Sequence, residues 1–343
     1  MNSSDLILVT GGGGFLGRHI VHALQSEQSP VRIFCRSDHP DLRAAGVDVH
    51  QGDIRNAADI QAACIGVRAV IHAAGITGVA PCRTPFFETN LEGTRNLLAA
   101  CRACGVERLV FTSSPSVVAA WGNVVNGDES LPYPRRFPAA YPHSKALAEQ
   151  EVLLAADGAL AACALRPHLI WGPGDRHLIP RIVEKARQRR LFRIGDGRNV
   201  VSLTHVANAA QAHVQALKAL TPERSLNGNV YFVADAEPVQ LWSWIEDLLR
   251  ALGLPGPSRS ISLRTALLYG TALDAVRRLI PAMAPAGLSR FVALQLGTSH
   301  SFSTRRAAED FGYAPTIHNE DGRKELVECL TTMPPPPQDR CRR

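Results

Sequence analysis

The sequence predicts an α/β fold, a doubly wound parallel sheet carrying a smaller, mostly helical C-terminal lobe. Three observations point there. In the first half, short continuous apolar runs alternate with segments of helical period, and buried, non-alternating strands joined by helices form parallel sheets. A glycine cluster, "TGGGGFLG" (10–17), stands between the first apolar run and the first helix. Beyond residue 175 the alternation breaks, and from about 237 the chain reads as mostly helical. The 343 residues, 45% hydrophobic and 20% charged, suffice for a large core with a smaller unit packed on it.

In chain order the strands are "LILVT" (6–10), "VRIFC" (31–35), "VDVHQ" (47–51), "RAVIHAAG" (68–75) and "RLVFTSS" (108–114). The helices between them are "FLGRHIVHALQSE", "AADIQAACIG" and "FFETNLEGTRNLLAACRACG". "AAYPHSKALAEQ" (139–150) is a further helix, followed by the strand "LAACALRPHLIWG" (160–172). After "GPGD" come the helix "RHLIPRIVEKARQRRL", the strand "NVVSLTHV", the helix "ANAAQAHVQALKAL" and the strand "NVYFVAD". The expected division is a dinucleotide-binding Rossmann domain over 1–173, rejoined by 198–236, and a substrate lobe over 174–197 and 237–333. "MPPPPQDRCRR" cannot build a core, so 334–343 are expected to form a disordered tail.

Composition excludes several classes. The net charge of +6 is spread along the chain, without a basic stripe interleaved with aromatics, so no nucleic-acid partner is expected. Eight cysteines fall mostly in apolar segments. Cys101 and Cys104 form a CxxC inside "NLLAACRACGV", but no second pair follows, so packing rather than metal or redox chemistry is expected. "MNSSDLILVT" lacks a basic region before its apolar run and does not read as a signal peptide; the expected setting is cytoplasmic.

In open α/β sheets ligands bind at the carboxyl ends of the strands, where the strand order reverses. The first such end holds Thr10, Gly11, Gly14, Phe15, Leu16 and Gly17. Glycines between strand and helix let the backbone approach a pyrophosphate seated on the helix N-terminus. The first glycine is Gly11 in a TGxxGxxG pattern or Gly12 in GxGxxG. Strand 2 ends in Arg36 and Ser37, where a guanidinium suits a ribose 2′-phosphate; NADP(H) is therefore favoured, with NAD(H) left open by nearby Asp38. Asp53, with Ile54, follows strand 3 and could hold the adenine amino group. Ala73, Ala74 and Gly75 end strand 4 with the small residues a close cofactor would require.

Strand 5 ends in Thr112, Ser113, Ser114 and, one turn on, Ser116. Tyr141 and Lys145 stand four residues apart, hence on one helix face. A free phenol titrates near pH ~10. A neighbouring ammonium lowers that value, so Lys145 is expected to make Tyr141 a competent proton donor to a carbonyl oxygen. Ser114 would orient that oxygen, with Ser116 in reserve.

"TGGGGFLG", "HAAG", "NLEGTRNL", "FTSSPSVV", "YPHSK", "LRPHLIWGPGD" and the late segment "FSTRRAAEDFGYAP" together resemble the extended short-chain dehydrogenase/reductase superfamily over almost the whole chain. Within it the chain is similar to the 3β-hydroxysteroid dehydrogenase/sterol-4-carboxylate dehydrogenase branch. It is closer still to the bacterial 2-alkyl-3-oxoalkanoate reductases of olefin biosynthesis, through "ESLPYP" and "GDGRNVVSLTHVANAAQAH" as well as the Tyr/Lys segment. The resemblance implies Tyr141 as acid/base, Lys145 as its partner and Ser114 as third member. It places Pro167, His168 and Ile170 near the nicotinamide and Asn90 near the active site. It also implies a homodimer formed through a four-helix bundle that includes the Tyr/Lys helix. Val118-Ala119 depart from the Tyr-Gly of many relatives, which weakens a nucleotide-sugar reading. Asn208 replaces a frequent Asp, with a structural role expected.

The expected activity is NADPH-dependent reduction of a long-chain 2-alkyl-3-oxoalkanoic acid. The enzyme alternative is oxidation of a 3β-hydroxysteroid or sterol 4-carboxylate. A non-catalytic NADP(H)-binding regulator is the alternative of another class, disfavoured by retention of Ser114, Tyr141 and Lys145. An acid substrate calls for an arginine, and Arg83 and Arg181 are candidates. "ISLRTALLYGTALDAVRRLIP" (261–281) carries Arg264, Arg277 and Arg278, which argues against a membrane span. It could be a core helix, line a long-chain pocket, lie on a membrane surface or contact a pathway enzyme.

Overall fold

The computed structural model describes residues 5–80, 82–176, 178–223, 226–279 and 288–332. The expected tail 334–343 lies outside them. Seven parallel strands form the central sheet: β1 (Ile7–Thr10), β2 (Val31–Cys35), β3 (Asp48–Gln51), β4 (Ala69–His72), β5 (Arg108–Thr112), β6 (Ala161–Pro167) and β7 (Val230–Val233). Their order is β3-β2-β1-β4-β5-β6-β7. The direction of winding reverses between β1 and β4, whose ends are in register as Thr10 beside His72. That edge is where this class of sheet binds ligands.

The strands are apolar throughout because helices cover both faces. Ile7 and Val9 pack with Ile20, Leu24, Ile33, Leu165 and Tyr231 on one face. Leu8 points the other way, into a cluster with Ile60, Val70, Leu109 and Val152. The helices that supply these faces include α1 (Phe15–Ser26), α2 (Ala57–Cys64), α3 (Gly93–Cys104), α4 (Ala140–Leu154) and α5 (Val206–Ala219). Cys101 is fully buried in the second cluster beside Cys64, so this half of the CxxC fills space between α2 and α3.

Two strands differ from the sequence reading. "LAACALRPHLIWG" breaks after Pro167 and resumes only at Ile170–Trp171. Leu169 at the break has φ +42°, a left-handed conformation unusual for a branched residue. "NVVSLTHV" becomes two short strands in different small sheets: Val200–Val201 pairs with 239–240 and 300, and Thr204–His205 pairs with Ile170–Trp171. Residues 202 and 203 change partners because Ser202 N–H donates to His300 O while its carbonyl accepts from the His168 ring.

A third apolar cluster joins Trp171, Ile179, Val183, Trp242, Ile245, Leu248, Ala266 and Leu326. The helix Leu263–Leu279 lays Ala266 into that cluster and leaves Leu268 and Leu279 exposed. Among the described residues no helix is long and apolar enough to cross a membrane. Asn208 clamps α5 to the C-terminal segment, donating to Asp235 and Ile317 O and accepting from Thr316 and Ile317 N–H.

Candidate active site

The glycine loop is set by contacts that tolerate no side chain. Gly11 has φ +72°, and a Cβ there would lie 2.9 Å from the backbone of Ala74. A Cβ on Gly17 would sit 2.1 Å from Gly11 O. Gly12 is not left-handed, so the spacing in use is Gly11, Gly14, Gly17. Gly14 caps α1 without a side-chain hydrogen bond, so no cap side chain takes up the first-turn amides, which include those of Phe15 and Leu16. That donor set fits a pyrophosphate. Gly17→Ala is expected to cost about 1–3 kcal/mol through overpacking against backbone. A lowered denaturation midpoint with weakened dinucleotide binding checks it.

Several expected cofactor contacts are engaged within the protein. The Thr10 hydroxyl accepts from Ala74 N–H (3.2 Å) and donates to His72 Nδ1 (2.7 Å). His72 Nε2 then donates to Thr94 Oγ1 (3.0 Å), because that hydroxyl donates to Asn90 O (2.6 Å). Asn90 continues the chain, donating to Ile76 O and Ser144 Oγ, and Ser144 donates to Tyr141 O. The phosphate loop and the tyrosine helix are thus joined by one directional hydrogen-bond chain. Burial, and secondarily Lys145, push His72 down to about 3, so its ring stays neutral. Asn90 lies in a π-helical turn, Phe87–Glu92, a distortion frequent at functional sites.

The Asp53 carboxylate is bound by Arg55 (2.6 Å), which holds its pKa below the usual range. Its expected role toward adenine is therefore not displayed by the side chain. Ile54 is buried against Gly93. The Ala73–Ala74 backbone lies against Gly11, and a Cβ on Gly75 would lie 3.1 Å from Asn90 Oδ1. At the ribose end Arg36 and Ser37 are exposed, while Asp38 is paired with Arg43 (2.9 Å). Arg18 and His39, which the sequence reading passed over, brace this corner. Arg18 donates to Gly13 O (3.3 Å), His39 Nδ1 (3.1 Å) and Asp41 (2.5 Å). An arginine directly after the third glycine was the available signal.

At the carboxyl end of β5, Lys145 Nζ donates to Thr112 O (2.5 Å) and stands 3.8 Å over the Phe111 ring. Burial pulls its pKa down to about 7, with Glu149 pulling the other way. The Thr112 hydroxyl turns away, toward His213 Nε2 (2.8 Å). Ser114 and Ser116 share a hydrogen bond (2.9 Å), so the two serine alternatives act as a pair. Ser113 is buried, its hydroxyl without a hydrogen-bond partner among the described residues. Tyr141 is half-buried. Desolvation raises its pKa, and a hydrogen bond with Ser114 opposes the rise.

The expected lowering of the tyrosine by its lysine is therefore corrected. The i,i+4 step does place both on one face, but Lys145 is drawn to the strand carbonyl, and burial dominates the phenol. Pro167 ends β6, and His168 donates from Nδ1 to Ser202 O (2.6 Å); burial takes its pKa to about 4. Ile170 is half-buried in the next short strand. Phe291, absent from the sequence reading, brings its ring 6.3 Å from that of Tyr141. It lines a cleft with Val79, Arg83, Phe137, Ala140 and Arg277. Arg181, the other proposed carboxylate arginine, does not line this cleft.

Comparison with known proteins extends these observations. The chain is 42% identical over 322 residues to a 2-alkyl-3-oxoalkanoate reductase of Stenotrophomonas maltophilia, covering 93% of this chain and 98% of that one. It is 31% identical to the decarboxylating sterol-4-alpha-carboxylate 3-dehydrogenase of Homo sapiens, covering 95% and 88%. The dTDP-glucose 4,6-dehydratase DesIV of Streptomyces venezuelae shares the fold, with a TM-score of 0.75 at 22% identity over 95% of this chain and 97% of that one. Residues 8–267 match the 3-beta hydroxysteroid dehydrogenase/isomerase family. A match running from β1 into the Leu263–Leu279 helix, joined by relatives aligned nearly end to end, shows that this chain belongs to the 3-beta hydroxysteroid dehydrogenase/isomerase family and is an oxidoreductase acting on hydroxyl or keto groups.

Proposed function

We infer that the protein reduces the 3-keto group of a long-chain 2-alkyl-3-oxoalkanoic acid, with NADPH as its reductant. The observation that carries the chemistry is the Tyr141 phenol beside Ser114 at the carboxyl edge of β5, kept protonated by burial. The substrate class is supported by the 42% identical reductase aligned over nearly the whole of both chains.

Tyr141 gives its proton to the carbonyl oxygen as charge develops there. The linked Ser114 and Ser116 hydroxyls hold that oxygen and share the charge. Lys145, anchored on Thr112 O, sets its ammonium at the strand end where the nicotinamide ribose would lie. Gly11, Gly14, Gly17 and the first turn of α1 would hold the pyrophosphate. When bound, a reduced nicotinamide supplies the hydride. Burial keeps the phenol protonated before the transfer, and the hydrogen bond with Ser114 favours the phenolate that the transfer leaves.

The reading is tested by consumption of reduced nicotinamide with a synthetic 2-alkyl-3-oxo acid. Turnover of a sterol 4-carboxylate alone would replace it with the dehydrogenase reading. NADPH is supported by exposed Arg36 and by the neutralisation of Asp38 through Arg43. Arg36→Leu is expected to lower the preference for NADPH over NADH about 10–100-fold, the worth of a charged hydrogen bond. An unchanged ratio of kcat/KM values would remove Arg36 from cofactor selection.

A further inference from the structure

Resting on the oxo-acid reading, we propose that Arg83, oriented by His143, is the seat of the substrate carboxylate and makes the enzyme selective for acids over neutral ketones. Among the described residues, the cleft beside Tyr141 is lined by three charged side chains: Arg83, Asp274 and Arg277. Two of them cancel. Arg277 donates to Asp274 Oδ1 (2.8 Å), and the other oxygen of Asp274 accepts from Arg290 N–H (2.9 Å). Arg277 is also fixed on Leu288 O (3.2 Å).

Arg83 is different. Among the described residues its side-chain contacts are an imidazole nitrogen, His143 Nδ1 at 3.4 Å, and the face of Phe87 at 5.6 Å. Neither carries negative charge. His143 is clamped by Phe137, stacked at 4.9 Å, and by Phe87 edge-on at 5.3 Å. Burial and the Arg83 charge both lower the His143 pKa, which keeps Nδ1 an acceptor. His143 thus orients the guanidinium without neutralising it. A guanidinium has five N–H donors in a planar fork that matches a carboxylate.

Among the described residues the cleft therefore offers one cation without a carboxylate partner, the solvent-exposed Arg83, beside apolar lining residues that include Val79, Phe86, Phe137 and Phe291. That combination suits an amphiphilic anion. In a 2-alkyl-3-oxo acid the carboxylate sits on the carbon next to the reacting carbonyl. Holding it fixes the carbonyl relative to Tyr141, whose ring meets the cleft-lining Phe291 at 6.3 Å, and leaves both alkyl chains to the apolar wall.

The test uses 2-hexyl-3-hydroxydecanoate and its methyl ester, a stable acid and its uncharged counterpart. Binding to the full chain is measured by calorimetry in the presence of NADPH, with which the hydroxy compounds do not react, and oxidation is measured with NADP by nicotinamide absorbance. Arg83→Leu is expected to weaken binding of the acid about 10–100-fold and leave the ester essentially unchanged, with Arg83→Lys intermediate. Equal losses for acid and ester, or no loss for the acid, would overturn the proposal. If the acid is oxidised and its affinity ignores Arg83, the seat is wrong and the oxo-acid reading survives. If the acid binds through Arg83 but is never turned over, the anion seat stands and the reading of function fails.

Discussion

Tyr141→Phe is expected to lower kcat for carbonyl reduction about 10²–10⁴-fold, the usual worth of a positioned proton donor, while dinucleotide affinity survives. The substitution removes the hydroxyl proposed as the proton donor and keeps the ring that meets Phe291. The pH dependence has a definite sign. Burial raises the phenol's pKa above its ordinary ~10. Reduction needs the protonated phenol, so its rate should hold through neutral pH and fall only as pH rises through that raised value. The hydrogen bond from Ser114 favours the phenolate, so Ser114→Ala should move the alkaline limb further up. Steady-state rates across pH check both. A Tyr141→Phe enzyme within about tenfold of the parent would place the proton donor elsewhere.

Glu149→Gln is expected to cost about 3–5 kcal/mol of stability, because it strands a buried guanidinium. Arg166 and Glu149 are 2% and 0% exposed, and they form two parallel hydrogen bonds, Nε to Oε2 (2.9 Å) and Nη2 to Oε1 (2.6 Å). Tyr133 OH donates to the same carboxylate (2.5 Å). Arg166 Nη1 is buried without a hydrogen-bond partner among the described residues, so the pair is already incompletely compensated. The double variant Glu149→Met/Arg166→Leu should lose less than either single change, since removing both charges also removes the desolvation cost. Urea unfolding midpoints at unchanged slope make the measurement. A single variant within about 1 kcal/mol of the parent would mean that water reaches the pair.

The Arg166–Glu149 pair also shows where sequence reading stops. Both residues lie in segments assigned correctly from periodicity, the Tyr/Lys helix and the strand after it. Their contact joins two elements whose relative placement no local pattern encodes. The same holds for Arg18, His39, His143 and Phe291, each unremarkable in its own window. The break at Leu169 and the divided run 200–205 look like continuous strands in the sequence because their composition is apolar and branched. Ser202 and His168, which divide them, act through partners about a hundred and about thirty residues away.

By itself the sequence determined the alternating α/β order, the glycine loop at the first strand end, and the placement of Tyr141 above Lys145 on one helix face. Each follows from interactions between residues a few positions apart, where helical and strand periods and glycine's small volume act directly. Only the tertiary structure decided what those groups do once buried. It turned the Lys145 ammonium onto Thr112 O, drew the hydroxyls of Thr10 and Thr112 into internal hydrogen bonds, and left Arg83 on the cleft wall with no carboxylate partner among the described residues. Desolvation and long-range pairing set charge and direction, and both depend on neighbours that only the closed fold supplies.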